Sequence, residues 1–289
     1  MNNIQIAHET LKIIKEGKYQ LHGREIVLPD VDWREVIVIT PEMGRKMIEE
    51  GLPEMKKIDS EDSIPKMLEK CRMCRIAVIN ADSFEAGRRY ENPLVMNFAN
   101  AHGAGGGFLW GANAQEEALC RASTLYASIT SKKAAEMYLY NNTHPSRVES
   151  DYMLISPNVV VFRGAGCLLQ EKPVVMGVVT APAPNRYGAA LLAHDKMIEE
   201  TFVRRIRIIL LAAIRYGYRN LVLGAWGCGA FGNKPEDVAG YFKKVIVEEG
   251  YGRFFDEICF AVYGKEDGKN ITAFRKVFTP PVPHDDRPQ

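Results

Sequence analysis

Short, almost unbroken apolar runs alternate with helix-length segments along most of this chain, and that rhythm narrows its possible folds more than any other feature. The runs fall at residues 36–39, 75–80, 94–100, 159–162, 174–180, 221–223 and 258–263. They lack clean apolar–polar alternation, as expected of strands covered on both faces. Helices are predicted over 4–16, 41–50, 63–74, 84–90, 115 to about 130, 194–216 and 235–249. Gly217 and Gly250 stand where helix C-caps belong, and Pro235 suits a first helical turn. Ile206, Ile209, Leu210 and Ala213 form an apolar stripe at helical spacing, which marks core. Strands interleaved with helices predict an α/β fold, a three-layer α/β/α sandwich. The Pro-rich tail is expected to be irregular.

Composition removes several function classes. Lys+Arg 37 against Asp+Glu 36 leaves net +1, so no global basic field or clear nucleic-acid patch is present. No apolar run approaches the ~20 residues of a membrane span. The N-terminal text MNNIQIAHETLKIIKEGKY does not read as a signal peptide. Six cysteines are scattered rather than arranged as a disulfide framework. Cys71 and Cys74 form a lone C-x-x-C whose plainest reading is two cysteines at a helix end. A cytoplasmic protein is the expectation.

In open α/β sheets ligands settle beyond the carboxyl ends of the strands, and three motifs fall there. Gly105-Gly106-Gly107 follows the 94–100 run, and after seven residues, Phe108 to Ala114, comes Gln115-Glu116-Glu117. A backbone without side chains suits close approach to a polar ligand. Adjacent carboxylates are the equipment for acid/base work on a glycosidic bond. The same acids also complement a helix dipole, and Glu117 could pair with Arg121 at i+4. The second motif, GAWGCGAFGN over 224–233, resembles a phosphate cradle in composition and position. It lacks the Lys-Ser/Thr ending of a P-loop and is not a first-unit G-x-G-x-x-G, and Cys228 has no His–carboxylate partner near it in sequence. The third is Asp82 after the 75–80 run, either a helix cap or an acceptor for a base or sugar.

Together these segments resemble the bacterial-type poly(ADP-ribose) glycohydrolases of the macrodomain superfamily, which carry a triple glycine, a short spacer and Gln-Glu-Glu. The match extends over MNFANAHGAGGGFLWGANAQEEALCRASTLY, and from about residue 4 to 275. The resemblance implies a macrodomain-like mixed sheet at 61–280, a helical N-terminal extension at 1–60 packed on it and an irregular tail at 281–289. It also implies hydrolysis of ribose–ribose bonds in poly(ADP-ribose), releasing ADP-ribose from chain ends without a metal or other cofactor. Glu117 matches the general acid and Glu116 the partner that orients the scissile ribose. Asn100, Gly105, Gly106 and Gly107 would border that ribose, and Gln115 would belong to the substrate-binding set. Gly227, Cys228, Gly229, Ala230 and Phe231 would wrap the diphosphate, Asp82 would accept from the adenine amine, and Tyr263 would stack on the base. His102 and Ala104, before the triple glycine, depart from the less bulky or Pro-containing text expected there. The alternatives are a non-hydrolytic ADP-ribose reader and a hydrolase of mono-ADP-ribosylated protein or nucleic acid.

Overall fold

The computed structural model describes residues 1–52 and 74–279 of the 289. The helix predicted over 63–74, most of the C-x-x-C pair and the 281–289 tail lie outside the described residues.

Helix α1 (Asn3–Glu16) starts in a capping box on Asn2 and ends at Gly17, whose left-handed φ of +68° closes the C-terminus. A hairpin of β1 (Lys18–Leu21) and β2 (Arg24–Val27) follows, then β3 (Ile37–Ile39) and α2 (Pro41–Glu50). After β4 (Arg75–Ile79) come α3 (Ser83–Gly87), β5 (Pro93–Ala99), α4 (Gln115–Ala122), α5 (Leu125–Ile129) and α6 (Ala135–Thr143). The chain continues through β6 (Met153–Arg163), β7 (Leu169–Pro182), α7 (Asp195–Arg215), β8 (Asn220–Leu223), α8 (Pro235–Lys243), β9 (Glu257–Ala261) and α9 (Lys269–Phe278).

Seven strands form one mixed sheet in the order β3-β6-β7-β5-β8-β9-β4. From β7 to β4 all neighbours are parallel, while β6 runs antiparallel to both β3 and β7. Side chains alternate across the sheet. Leu94, Met96, Val179, Leu221, Leu223 and Phe260 join α7 and α8 residues in one core, whereas Val95, Val178, Val222 and Cys259 join those of α4 to α6 in another. Both faces are dry, which is why the strands read as continuous apolar runs. The stripe residues Ile206, Ile209, Leu210 and Ala213 are all buried in the first core.

The structure corrects the sequence reading in several places. The strand expected at 36–39 is β3, and it pairs with β6 at Ile37↔Ile155, so the 1–60 segment supplies a strand to the main sheet rather than only packing helices on it. Residues 18–27 form a hairpin turning at His22 and Gly23, both at positive φ. Its largely exposed side chains hid it from a search for apolar runs. The helix expected from Gln115 to about Thr130 breaks at Ser123, which is extended and bridges Val161. There Thr124 donates its N–H to the Val160 carbonyl (3.0 Å), and its Oγ1 accepts from Val160 N (2.9 Å). Hydrogen bonds to β6 replace helical ones over those residues, and the Ser123 hydroxyl covers the end of α4 by donating to Leu119 O (2.8 Å).

Candidate active site

Because β4, β5, β7, β8 and β9 are parallel, their carboxyl ends lie along one edge of the sheet. Asp82, Asn100, Ala183, the 224–233 loop and Tyr263 all follow those ends. Around them is a cavity of about 380 Å³, lined by Asp82, Gln115, Gly227, Gly229, Ala230, Phe231 and Tyr263 among the anticipated residues. Phe98, Asn113 and Trp226, which lie inside the quoted motifs without having been singled out, also line it, as do Ala183 and Asn270. Glu116, Glu117, Asn100 and the triple glycine do not line this cavity; they form a second group, joined to it through the first turn of α4, and Cys228 lies off the cavity within the 224–233 loop.

That second group is built on hydrogen bonds from backbone to carboxylate. Glu116 and Glu117 are 3% and 7% exposed in the first turn of α4, whose N-cap Ala114 offers no side-chain cap. Glu116 Oε2 accepts from Asn100 N (2.8 Å), and its Oε1 accepts from Asn97 Nδ2 (3.2 Å). Glu117 Oε1 accepts from Gly107 N (2.9 Å). Burial pushes the Glu116 carboxyl up to about 7; the N–H groups of Asn100 and Gly105 and the Asn97 amide oppose that rise, and the neighbouring Glu117 charge adds to it. The i+4 pair between Glu117 and Arg121 is not formed among the described residues. The buried Arg121 guanidinium instead donates to Ala112 O (2.5 Å) and Asn113 Oδ1 (2.7 Å), so it braces the loop.

The glycines are needed by the carboxylates. At Gly106, with φ +52°, a Cβ would come closer than 3.0 Å to Glu117 Oε1 and to 3.4 Å from Glu116 Oε2. At Gly105, with φ +73°, it would meet the Tyr126 ring at 2.8 Å. Asn100 shapes the loop through Oδ1, which accepts from His102 N (2.8 Å) and Gly103 N (3.0 Å). The His102 ring lies on Asn142 (Nδ1 to Oδ1, 3.2 Å), and Asn142 Nδ2 donates back to His102 O (3.0 Å).

Gln115 borders the cavity, yet its amide is engaged with protein. Oε1 accepts from Phe98 N (2.9 Å), while Nε2 donates to Met96 O (2.7 Å) and Ser83 Oγ (3.1 Å), strapping α4 to β5. Asp82 is the helix cap that its position allowed. Its Oδ1 caps α3 by accepting from Phe84 N (2.8 Å), and the residue also lines the cavity. Tyr263 is 83% exposed at the cavity wall, so it is no core tyrosine.

The second glycine loop is strapped by Asn233, which donates from Nδ2 to Pro184 O (2.8 Å) and Gly227 O (3.1 Å). Gly227, at φ +73°, has no room for a Cβ between Ala183 and Asn233. Cys228 is buried, and desolvation pushes its thiol up to about 12, leaving it protonated and unsuited to nucleophilic attack at neutral pH. Among the described residues no group of three or more His, Cys, Asp or Glu is arranged to hold a metal ion, and no helix is long and apolar enough to cross a membrane.

Comparison with known proteins places this architecture. The poly(ADP-ribose) glycohydrolase of Thermomonospora curvata is 34% identical, with a TM-score of 0.84 over 96% of this chain and 99% of that one. The same enzyme bound to the inhibitor ADP-HPD is 33% identical, with a TM-score of 0.81 over 95% and 98%. The Deinococcus radiodurans poly(ADP-ribose) glycohydrolase in complex with ADP-ribose is 31% identical, with a TM-score of 0.73 over 87% and 98%. No curated protein sequence matches the chain. The family model for the microbial-type PARG catalytic domain matches residues 7–164, more than half of the chain, and the chain belongs to that family.

Proposed function

We propose that this protein is a poly(ADP-ribose) glycohydrolase that hydrolyses ribose–ribose O-glycosidic bonds and releases ADP-ribose from chain ends. One observation carries the reading. Of the four carboxylate oxygens of Glu116 and Glu117, three accept a hydrogen bond, while Glu117 Oε2 is buried with no partner among the described residues. A buried carboxylate oxygen left without a donor is costly, and functional sites are where such costs persist. It is the one oxygen of the pair not already held by a donor, and so the one open to a departing ribose oxygen.

In this reading Glu117 protonates the leaving oxygen, the C–O bond breaks, and the ribose passes through an oxocarbenium-like state. Water attacks that carbon and gives its proton to the Glu117 carboxylate, which restores the acid. Glu116, fixed at both oxygens, orients the scissile ribose, with Asn100 and the triple glycine beside it. Gly227 to Phe231 hold the diphosphate through backbone N–H groups, with Phe231 against the distal ribose. Asp82 accepts from the adenine amine and Tyr263 stacks on the ring. Gln115 acts through its strap on β5. ADP-ribosylated protein is the carrier of the substrate polymer and ADP-ribose the product. A cytoplasmic setting belongs to the same reading, supported by the free thiols of Cys74, Cys120, Cys167, Cys228 and Cys259.

The test is incubation of the purified protein with poly(ADP-ribose) and chromatography of the products. Wild type is expected to release ADP-ribose monomers. Glu117→Gln is expected to lose roughly 10²–10⁴-fold in kcat, the usual contribution of a positioned acid, with ADP-ribose binding retained. No release by wild type, or full release by Glu117→Gln, refutes the assignment. Tight ADP-ribose binding without turnover by wild type would identify a reader instead.

A further inference from the structure

Trp110 is the most exposed large apolar side chain among the described residues, at 84%, and it lies in the loop between the triple glycine and the carboxylates. An indole left in water forgoes the large gain that burying an aromatic ring brings. Its backbone is nevertheless firmly held. It belongs to the 3₁₀ turn Phe108–Trp110, which buries Phe108 completely against Tyr126, with ring centroids 4.8 Å apart. Gly111 closes that turn at φ +80°, and its carbonyl accepts from Asn3 Nδ2 of α1 (3.0 Å). The turn therefore fixes one aromatic ring inside and presents the next outside.

The position of that ring relative to the acid matters. Trp110 N donates to the Gly107 carbonyl (3.0 Å), and Gly107 N is the donor that holds Glu117 Oε1. With a 3₁₀ rise of about 2 Å per residue, the Trp110 backbone stands about 6 Å from that of Gly107. Trp110 is not part of the cavity wall that carries Asp82, Phe231 and Tyr263. If that cavity holds the unit to be released, the rest of the polymer must leave the acid on its outer side. In a ribose–ribose bond within poly(ADP-ribose), the departing oxygen belongs to the ribose of an adenosine, so an adenine lies one sugar away from it.

We propose that Trp110 is the stacking platform for that adenine, a base-binding subsite on the leaving-group side of the scissile bond. The inference rests on the glycohydrolase reading and deepens it. The polymer is favoured because its leaving group carries a base, which the side chain of a mono-ADP-ribosylated protein lacks. Stacking on a flat ring requires no particular hydrogen-bond pattern, so one exposed indole suffices.

The test compares Trp110→Ala and Trp110→Phe with wild type on three ligands: poly(ADP-ribose), ADP-ribose itself, and ADP-ribose joined at the scissile carbon to a small chromogenic alcohol without a base. Trp110→Ala is expected to raise KM for polymer roughly tenfold, within the range that truncating a base-stacking aromatic gives, at little change in kcat. Trp110→Phe should recover part of that loss. ADP-ribose affinity, and kcat/KM on the base-free substrate, should match wild type in both variants. Unchanged polymer KM in Trp110→Ala overturns the subsite and leaves the glycohydrolase assignment intact, as does an equal loss on the base-free substrate. A wild type that releases nothing from polymer overturns both.

Discussion

Adding one methyl group at Gly106 is expected to disable the site while the fold survives. An L-residue at φ +52° costs about 1–2 kcal/mol. The new carbon would also sit closer than 3.0 Å to Glu117 Oε1, where the comfortable separation is roughly 3.5 Å, so the carboxylate must retreat by on the order of 1 Å. That retreat breaks the 2.9 Å bond from Gly107 N, and a hydrogen bond to a charged group is worth about 1.5–3 kcal/mol. The sum is a stability loss of roughly 2.5–5 kcal/mol, or a Tm lowered by about 5–15 °C for a domain of this size. A displacement of that extent at the acid should lower kcat about 100-fold. Gly103→Ala is the matched control, because a Cβ there meets nothing within 4 Å and its φ is not in the left-handed region. Scanning calorimetry and polymer hydrolysis on the two variants decide the matter. A Gly106→Ala enzyme within threefold of wild type in kcat, or a Gly103→Ala enzyme equally damaged, would refute the claim that the glycines serve the carboxylates.

Two further predictions separate support from contact. Gln115→Ala leaves Phe98 N and Met96 O without their side-chain partner, and is expected to cost about 1–3 kcal/mol in urea denaturation; a variant as stable as wild type but weak in ADP-ribose binding would make Gln115 a ligand contact after all. Glu116, raised from 4.5 to about 7, favours folding most when protonated; its contribution is full below pH 4.5 and falls away as pH rises through about 7. Glu116→Gln, which cannot ionise, should therefore gain on wild type between pH 5 and pH 8 by on the order of 2–3 kcal/mol. An equal stability difference at both pH values would show that burial does not set the titration of this carboxyl.

The layers of the fold were legible because both faces of the sheet are dry. Leu94, Met96, Val179 and Leu221 meet one helical layer, while Val95, Val178 and Val222 meet the other, so the sequence carries no polar face to obscure the strands. The features that escaped depend on partners distant in sequence. The break at Ser123 exists because Thr124 pairs with Val160 in β6, and nothing within 115–130 encodes that pairing. The β1–β2 hairpin escaped for the opposite reason, since exposed strands have no need of an apolar run.

The same contrast accounts for how unevenly the site could be read. The stretch from Asn97 to Glu117 is self-contained: Asn97, Asn100 and Gly107 bind the carboxylates, Gly106 leaves room for them, and Gln115 ties their helix to β5. Fixed spacing is required because each residue supports another within the same stretch, and that makes the motif specific. The cavity wall is assembled differently. Ala183, Trp226, Val262 and Asn270 arrive from four separate segments, three of them just beyond the ends of parallel strands, and no two need a set separation in sequence. The readable motif is thus mainly the apparatus that holds the acid in place. Trp110 belongs to the motif by position but supports none of its carboxylates, and a residue held outward for no structural return within such a unit is most economically explained by what it meets outside.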